Sequence, residues 1–185
     1  VMEQVLKSYP DQVRLIYRHL PLSFHVHADL AARAAEAAGV QGFFWPMHDL
    51  LFEHSRQLTP ELIEELASRV SGLDMGQWRM DVKSPAIRAK VDADNAEAAR
   101  VGARGTPNFY LNGHKVTGAQ PFERFKEKID ELLIKAVQGA GRHIWGLAKD
   151  QPDSSRMGTT CTLLLIIKDK GFMAHVGDSR LVMQR

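Results

Sequence analysis

Gly102-Ala103-Arg104-Gly105-Thr106-Pro107-Asn108-Phe109-Tyr110-Leu111-Asn112-Gly113, followed at once by His114-Lys115-Val116-Thr117, is where the apolar pattern of this chain leaves the helical period. Residues 108–111 are a short run dominated by β-formers. Asn112-Gly113 is the dipeptide that tolerates two consecutive residues of positive φ, and residues 114–117 return. Together they predict a β-hairpin closed by a type I′ turn. Thr106-Pro107 opens the first of the two strands.

Outward from the hairpin the period is helical on both sides. Pro121 starts a helix with Phe122, Phe125, Ile129, Leu132 and Leu133 along one stripe. Upstream, residues 85–101 and 75–82 predict two helices. Thr59 is an N-cap with Pro60 in the first turn, opening a helix to about residue 70. Residues 43–53 direct Phe44, Met47, Leu51 and Phe52 toward a core. Residues 28–38 are alanine-rich, with Leu30, Ala34 and Ala38 on one face and Gly39 as the stop. Further upstream, 13–17 (Val-Arg-Leu-Ile-Tyr) predicts a strand. Tyr9-Pro10-Asp11 breaks a first helix, in which Met2, Val5 and Leu6 share a face without an N-cap before them. The order is strand, helical insertion, hairpin, helix, which predicts a helical layer against a small mixed sheet.

Beyond residue 133 the character shifts. Residues 134–149 can continue as helix despite Gly139, Gly141 and Gly146, and 150–155 form a polar loop. Residues 159–167 and 172–176 read as strands, and 180–183 as the start of a third.

Composition narrows the function classes. The chain has 185 residues, room for one ordinary domain or a small domain and part of another, and its apolar and charged fractions are those of a globular protein. A net charge of +2 with dispersed basic residues gives no nucleic-acid footprint. No apolar run approaches the ~20 residues that span a bilayer, and no signal-peptide pattern opens the chain, so neither nucleic acid nor membrane is an expected partner. One cysteine, Cys161, excludes an intramolecular disulfide and any multi-cysteine metal site. It lies among aliphatic and β-branched residues, as an inert buried thiol does. The metal reading of His25, His27, His48 and His54 lacks both a nearby cysteine and an i, i+4 histidine pair. Packing and capping roles in the helical insertion account for them more simply. The aromatic group Phe43, Phe44, Trp45 and Phe52 reads as core, with Trp45 able to border a groove.

Residues 13–28, 44–52, 102–113 and 118–122, in that order, resemble the DsbA-like thioredoxin family. The resemblance implies a Cys-x-x-Cys motif at the N-terminus of the first helix, where helix dipole and free amides lower a thiol pKa well below about 8.5. It implies thiol–disulfide exchange on protein or small-molecule thiols. This chain contains no such motif. On the resemblance, residues 2–7 are the remainder of that helix, and the motif and first strand fall upstream. The resemblance further implies that Pro107 is cis and that the Thr106 backbone is offered to a substrate peptide, making Thr106 and Pro107 the candidate substrate-binding pair. Loss of an interior strand would cost much of a domain's stability. The insertion at 28–101 is therefore expected to be the best-ordered region.

From about residue 136, Arg142-His143-Ile144-Trp145, Met157 to Leu163 and Ala174-His175-Val176-Gly177-Asp178-Ser179-Arg180 resemble part of a PPM-type metal-dependent Ser/Thr phosphatase. The resemblance implies a two-metal hydrolase using Mg or Mn, with Asp178 at an accessory metal position. The family's other metal carboxylates have no counterpart here, and one carboxylate cannot hold two cations. Apart from ancestry, Gly177 to Arg180 is an ordinary polar turn.

The expected fold is therefore α/β: a thioredoxin-like domain over 1–133 with a helical insertion and its first strand missing, followed by an incomplete α/β phosphatase fragment over 134–185. The expected function is a thiol–disulfide oxidoreductase-like domain, inactive in the residues present and carrying no cofactor of its own. The alternatives are an incompletely represented phosphatase and a non-catalytic peptide-binding module. A junction near 133–135 without a Gly/Ser or Pro-rich linker favours a recent or artefactual join.

Overall fold

The computed structural model describes residues 1–149, 161–167 and 170–176. They form seven helices and two antiparallel hairpins: α1 (Met2–Ser8), α2 (Ala28–Val40), α3 (Phe44–Glu53), α4 (Pro60–Ser68), α5 (Met75–Val82), α6 (Pro85–Arg100), β1 (Asn108–Leu111), β2 (His114–Thr117), α7 (Phe122–Lys149), β3 (Cys161–Ile167) and β4 (Lys170–Val176). The chain divides into two compact units, one spanning Asp11–Ala119 and the other joining Val1–Pro10 to the segment that starts at Gln120.

In the first unit, α2 is the central helix. Ala34, Ala37 and Ala38 are fully excluded from solvent, and small side chains there let α3, α4 and α5 approach closely. Met47 and Leu51 of α3, Ile63 and Leu66 of α4, and Trp78 and Val82 of α5 complete this core. The Trp78 indole N–H donates to the Ala34 carbonyl at 3.0 Å, so the largest core side chain leaves no polar atom unsatisfied. Local signals set the helix starts. The hydroxyls of Thr59 and Ser84 and the carboxylate of Asp74 accept the amides of Leu62, Ile87 and Gln77.

Helix α2 does not stop at Gly39. It runs to Val40, and the residue of positive φ is Gly42 (φ 85°). A Cβ on Gly39 would lie 3.3 Å from Phe44 Cβ, so this glycine serves close packing against the start of α3. Phe52 also departs from expectation: it is 58% exposed, while Met47 and Leu51 fill the core.

The hairpin pairs Asn108 with Thr117 and Leu111 with His114. Both Asn112 (φ 47°) and Gly113 (φ 85°) have positive φ, as a type I′ turn requires. Residues 13–17 are not a strand. From Val13 to His19 the side chains alternate between covered and exposed, as a strand's do, but the described sheets are β1–β2 and β3–β4 alone. The periodicity is present without a ladder partner, and pairing defines a strand. The small mixed sheet is accordingly two separate hairpins.

In the second unit, α1 lies along α7. Val5 and Tyr9 are buried, as are Phe125 and Ile129 on the expected stripe. The Tyr9 hydroxyl donates to Asp130 Oδ1 at 2.6 Å, and Lys126 reaches Asp130 Oδ2 at 2.6 Å. Helix α7 is continuous across 133/134, the expected domain junction. The pairing of β3 with β4 runs from Cys161 opposite Val176 to Ile167 opposite Lys170. The expected loop at 150–155, the strand at 180–183 and Asp178 lie outside the described residues.

Candidate substrate-binding site

The C-terminus of α6 delivers the chain to Thr106. Gly102 (φ 71°) turns it out of the helix, and the Ala103 amide returns to the Ala98 carbonyl at 2.9 Å. The last turn of a helix leaves carbonyls without intrahelical partners. Two hairpin side chains take carbonyls at this end: the Tyr110 hydroxyl donates to Val101 O at 2.8 Å and Lys115 Nζ to Gly102 O at 2.6 Å. The hairpin is thereby fastened to the helix, and the loop between them is held at both ends.

Within this loop the Thr106–Pro107 peptide bond is cis, as the sequence resemblance implies. The Pro107 carbonyl accepts the Gly118 amide at 2.9 Å, extending the hairpin ladder by one bond. Thr106 and Pro107 are both exposed. Neither the amide nor the carbonyl of Thr106 is engaged by a hydrogen bond among the described residues. The loop and the adjoining end of β2 line a shallow, open depression of about 370 Å³. An exposed, unpaired backbone edge beside a strand is a template for an extended segment from another chain.

The other sequence candidates fall elsewhere. His48 sits in an aromatic cluster, its ring 4.8 Å from Tyr17, 5.2 Å from Trp45 and 4.4 Å from Phe52, with Nδ1 2.9 Å from Asp49 Oδ1. His54 donates from Nδ1 to the Leu50 carbonyl at the end of α3. His27 is the N-cap residue of α2 without a side-chain capping bond, and the His25 ring lies tilted against Phe24, 4.5 Å between centroids. Among the described residues no group of three or more His, Cys, Asp and Glu side chains is placed to hold a metal ion. Trp45 is 44% exposed and so belongs to the surface of the aromatic cluster.

Sequence reasoning missed a buried polar network. His19 is buried; its backbone amide donates to Asp94 Oδ2 at 3.0 Å and its Nε2 to Glu36 Oε1 at 3.2 Å. Lys90 pairs with Glu36 Oε2, and Arg18 bridges Asp94 and Glu97. Burial pushes the Glu36 carboxyl up, but the hydrogen bonds and charges of His19 and Lys90 outweigh it and hold the group below the usual carboxylate range. Burial, and then the Asp94 carboxylate, raise the Tyr17 phenol. A Glu in an alanine-rich helix face was the only available signal, and it looks like any solvent-facing charge.

The family model of the DSBA-like thioredoxin domain matches residues 1–130. The chain belongs to this family. A thioredoxin-like oxidoreductase from Silicibacter pomeroyi DSS-3 superposes with a TM-score of 0.61 at 28% identity, covering 71% of this DSBA-like chain and 74% of the other. The probable disulfide bond formation protein D of Bacillus cereus is 29% identical over 146 residues, 73% of this chain and 66% of that protein. Na(+)/H(+) antiporters NhaA are also similar: that of Herminiimonas arsenicoxydans is 39% identical over 111 residues, and NhaA 3 of Salinispora tropica 41% over 138. These matches take in 60% and 73% of this chain, and the chain spans only 17% and 21% of those antiporters. Among the described residues no helix is long and apolar enough to cross a membrane.

Proposed function

We propose that this DSBA-like domain takes an extended, cysteine-bearing polypeptide segment by backbone pairing at Thr106, with Pro107 shaping the adjoining wall. The observation that carries the proposal is the exposed Thr106 backbone, with neither hydrogen-bonding group used among the described residues, on a loop fastened at both ends. Membership of a thioredoxin-like oxidoreductase family supports thiol or disulfide groups as the chemistry presented there. Dithiol exchange needs an attacking and a resolving thiol, and this chain has only Cys161. Its own residues therefore supply recognition, and not the exchange. Calorimetric titration with a peptide whose cysteine is alkylated tests this. Binding should be measurable and should be abolished by N-methylating the backbone at the position that faces Thr106. Equal binding of the methylated peptide would contradict backbone pairing.

The phosphatase-like reading of residues 136–185 is a separate inference. It rests on the sequence resemblance alone; the β3–β4 pairing falls where two consecutive strands were expected and is common to many folds. Asp178 would be its metal position, but no hydrolytic step follows from one carboxylate.

A further inference from the structure

The charges around the Thr106 depression are of one sign. Its lining includes Arg104 and Lys115 and no acidic side chain. Lys115 is committed to the Gly102 carbonyl and stands 6.0 Å from the centre of the Tyr110 ring. Arg104, two residues before Thr106, is exposed and engaged by no hydrogen bond or ion pair among the described residues. Elsewhere on this unit Arg18 pairs with Asp94 and Glu97, Arg69 with Glu65 and Arg79 with Glu64. The exposed Arg14, Arg56 and Arg88 share the unpaired state of Arg104 among the described residues but do not line the depression. A planar guanidinium presents a fork of donors that fits a carboxylate in two-pronged fashion.

We propose that Arg104 is a specificity-determining residue that selects extended segments bearing a glutamate or aspartate beside the cysteine, with Lys115 adding to the positive field while it positions the loop. The proposal rests on the backbone-pairing reading of Thr106. A polypeptide segment is the occupant because an extended peptide pairs its own amide and carbonyl with those of Thr106 while an acidic side chain meets the neighbouring cation.

The test uses the full chain, ¹⁵N-labelled, and two alkylated-cysteine peptides that differ only in glutamate against glutamine at the positions flanking the cysteine. The glutamate peptide should bind about two- to five-fold more tightly at low salt, the range expected of an exposed ion pair. The preference should vanish in 0.5 M NaCl, on the order of 4 Å Debye length. It should also vanish in Arg104→Gln and return in part in Arg104→Lys. Among the described residues Arg104 makes no hydrogen bond or ion pair, so the amide spectra of the variants should otherwise be unchanged. Equal affinities, with both peptides shifting the Thr106 amide, would overturn the charge selection and leave backbone pairing intact. Failure of both peptides to shift Thr106 would overturn both.

Discussion

Glu36 is a carboxylate inside an alanine-rich core, stabilised by His19 on one oxygen and Lys90 on the other. Its pKa is held below the ordinary value, so the folded state binds this proton more weakly than the unfolded chain does. The stabilisation is fully present above the usual glutamate pKa of about 4.3 and is lost as pH falls through the lower folded value. Urea melts between pH 3 and 6 should show a steeper acid loss in the native sequence than in Glu36→Gln; identical slopes would contradict this. Tyr9 behaves in the opposite sense. Burial, then the hydrogen bond to Asp130, push its phenol up to about 12. Its contribution is complete below the usual phenol pKa of about 10 and lost as pH rises through about 12. Tyr9→Phe should cost roughly 1.5–3 kcal/mol, since the bond is to a charged group, and should remove from an absorbance titration the phenol that ionises at about 12. Neither residue was legible beforehand. Glu36 and Asp130 each stand at helical spacing among residues that read equally well as exposed, and only tertiary packing decides which carboxylate is enclosed.

At the scale of elements, the strongest local chemistry was the most legible. Asn112-Gly113 specified the hairpin and its register, because few residues other than Gly and Asn adopt two successive positive φ values. Thr59-Pro60 fixed the start of α4 through a hydroxyl cap on the Leu62 amide and a proline in the first turn. Thr59→Ala should lower stability by about 1 kcal/mol in a denaturant melt. Residues 13–17 were misread because composition reports strand propensity but not the presence of a partner. Gly39 was misread as a terminator because sequence does not reveal that Phe44 returns to within 3.3 Å of where its Cβ would lie. The close approach around α2 carries its own consequence. Ala38 is fully enclosed, and Ala38→Leu should destabilise by roughly 1–3 kcal/mol through overpacking. A variant as stable as the native chain would mean that α2 sits in a looser core than its alanines indicate.

Across the whole molecule, the order of elements indicated a helical layer with a small sheet. The resemblance of residues 13–28, 44–52, 102–113 and 118–122 to the DsbA-like family placed the chain among thioredoxin-like folds and pointed to Thr106-Pro107 as the candidate site. The free backbone of Thr106 and the unpaired guanidinium of Arg104 were not visible in sequence, because both depend on what the hairpin and the end of α6 leave unused. With Cys161 as its only thiol, the purified chain should not reduce insulin with dithiothreitol as terminal reductant. Turnover that disappears in Cys161→Ser would contradict that expectation. Addition of manganese or magnesium should likewise give no hydrolysis of p-nitrophenyl phosphate. The most direct measurement of the central claim is a residue-resolved amide titration of the ¹⁵N-labelled chain with an extended peptide carrying an alkylated cysteine. Backbone pairing at the loop predicts saturable shifts centred on Gly105, Thr106 and Asn108 and extending to Lys115–Gly118. Shifts confined to the aromatic cluster of Trp45, His48 and Phe52, with Thr106 unmoved, would contradict it.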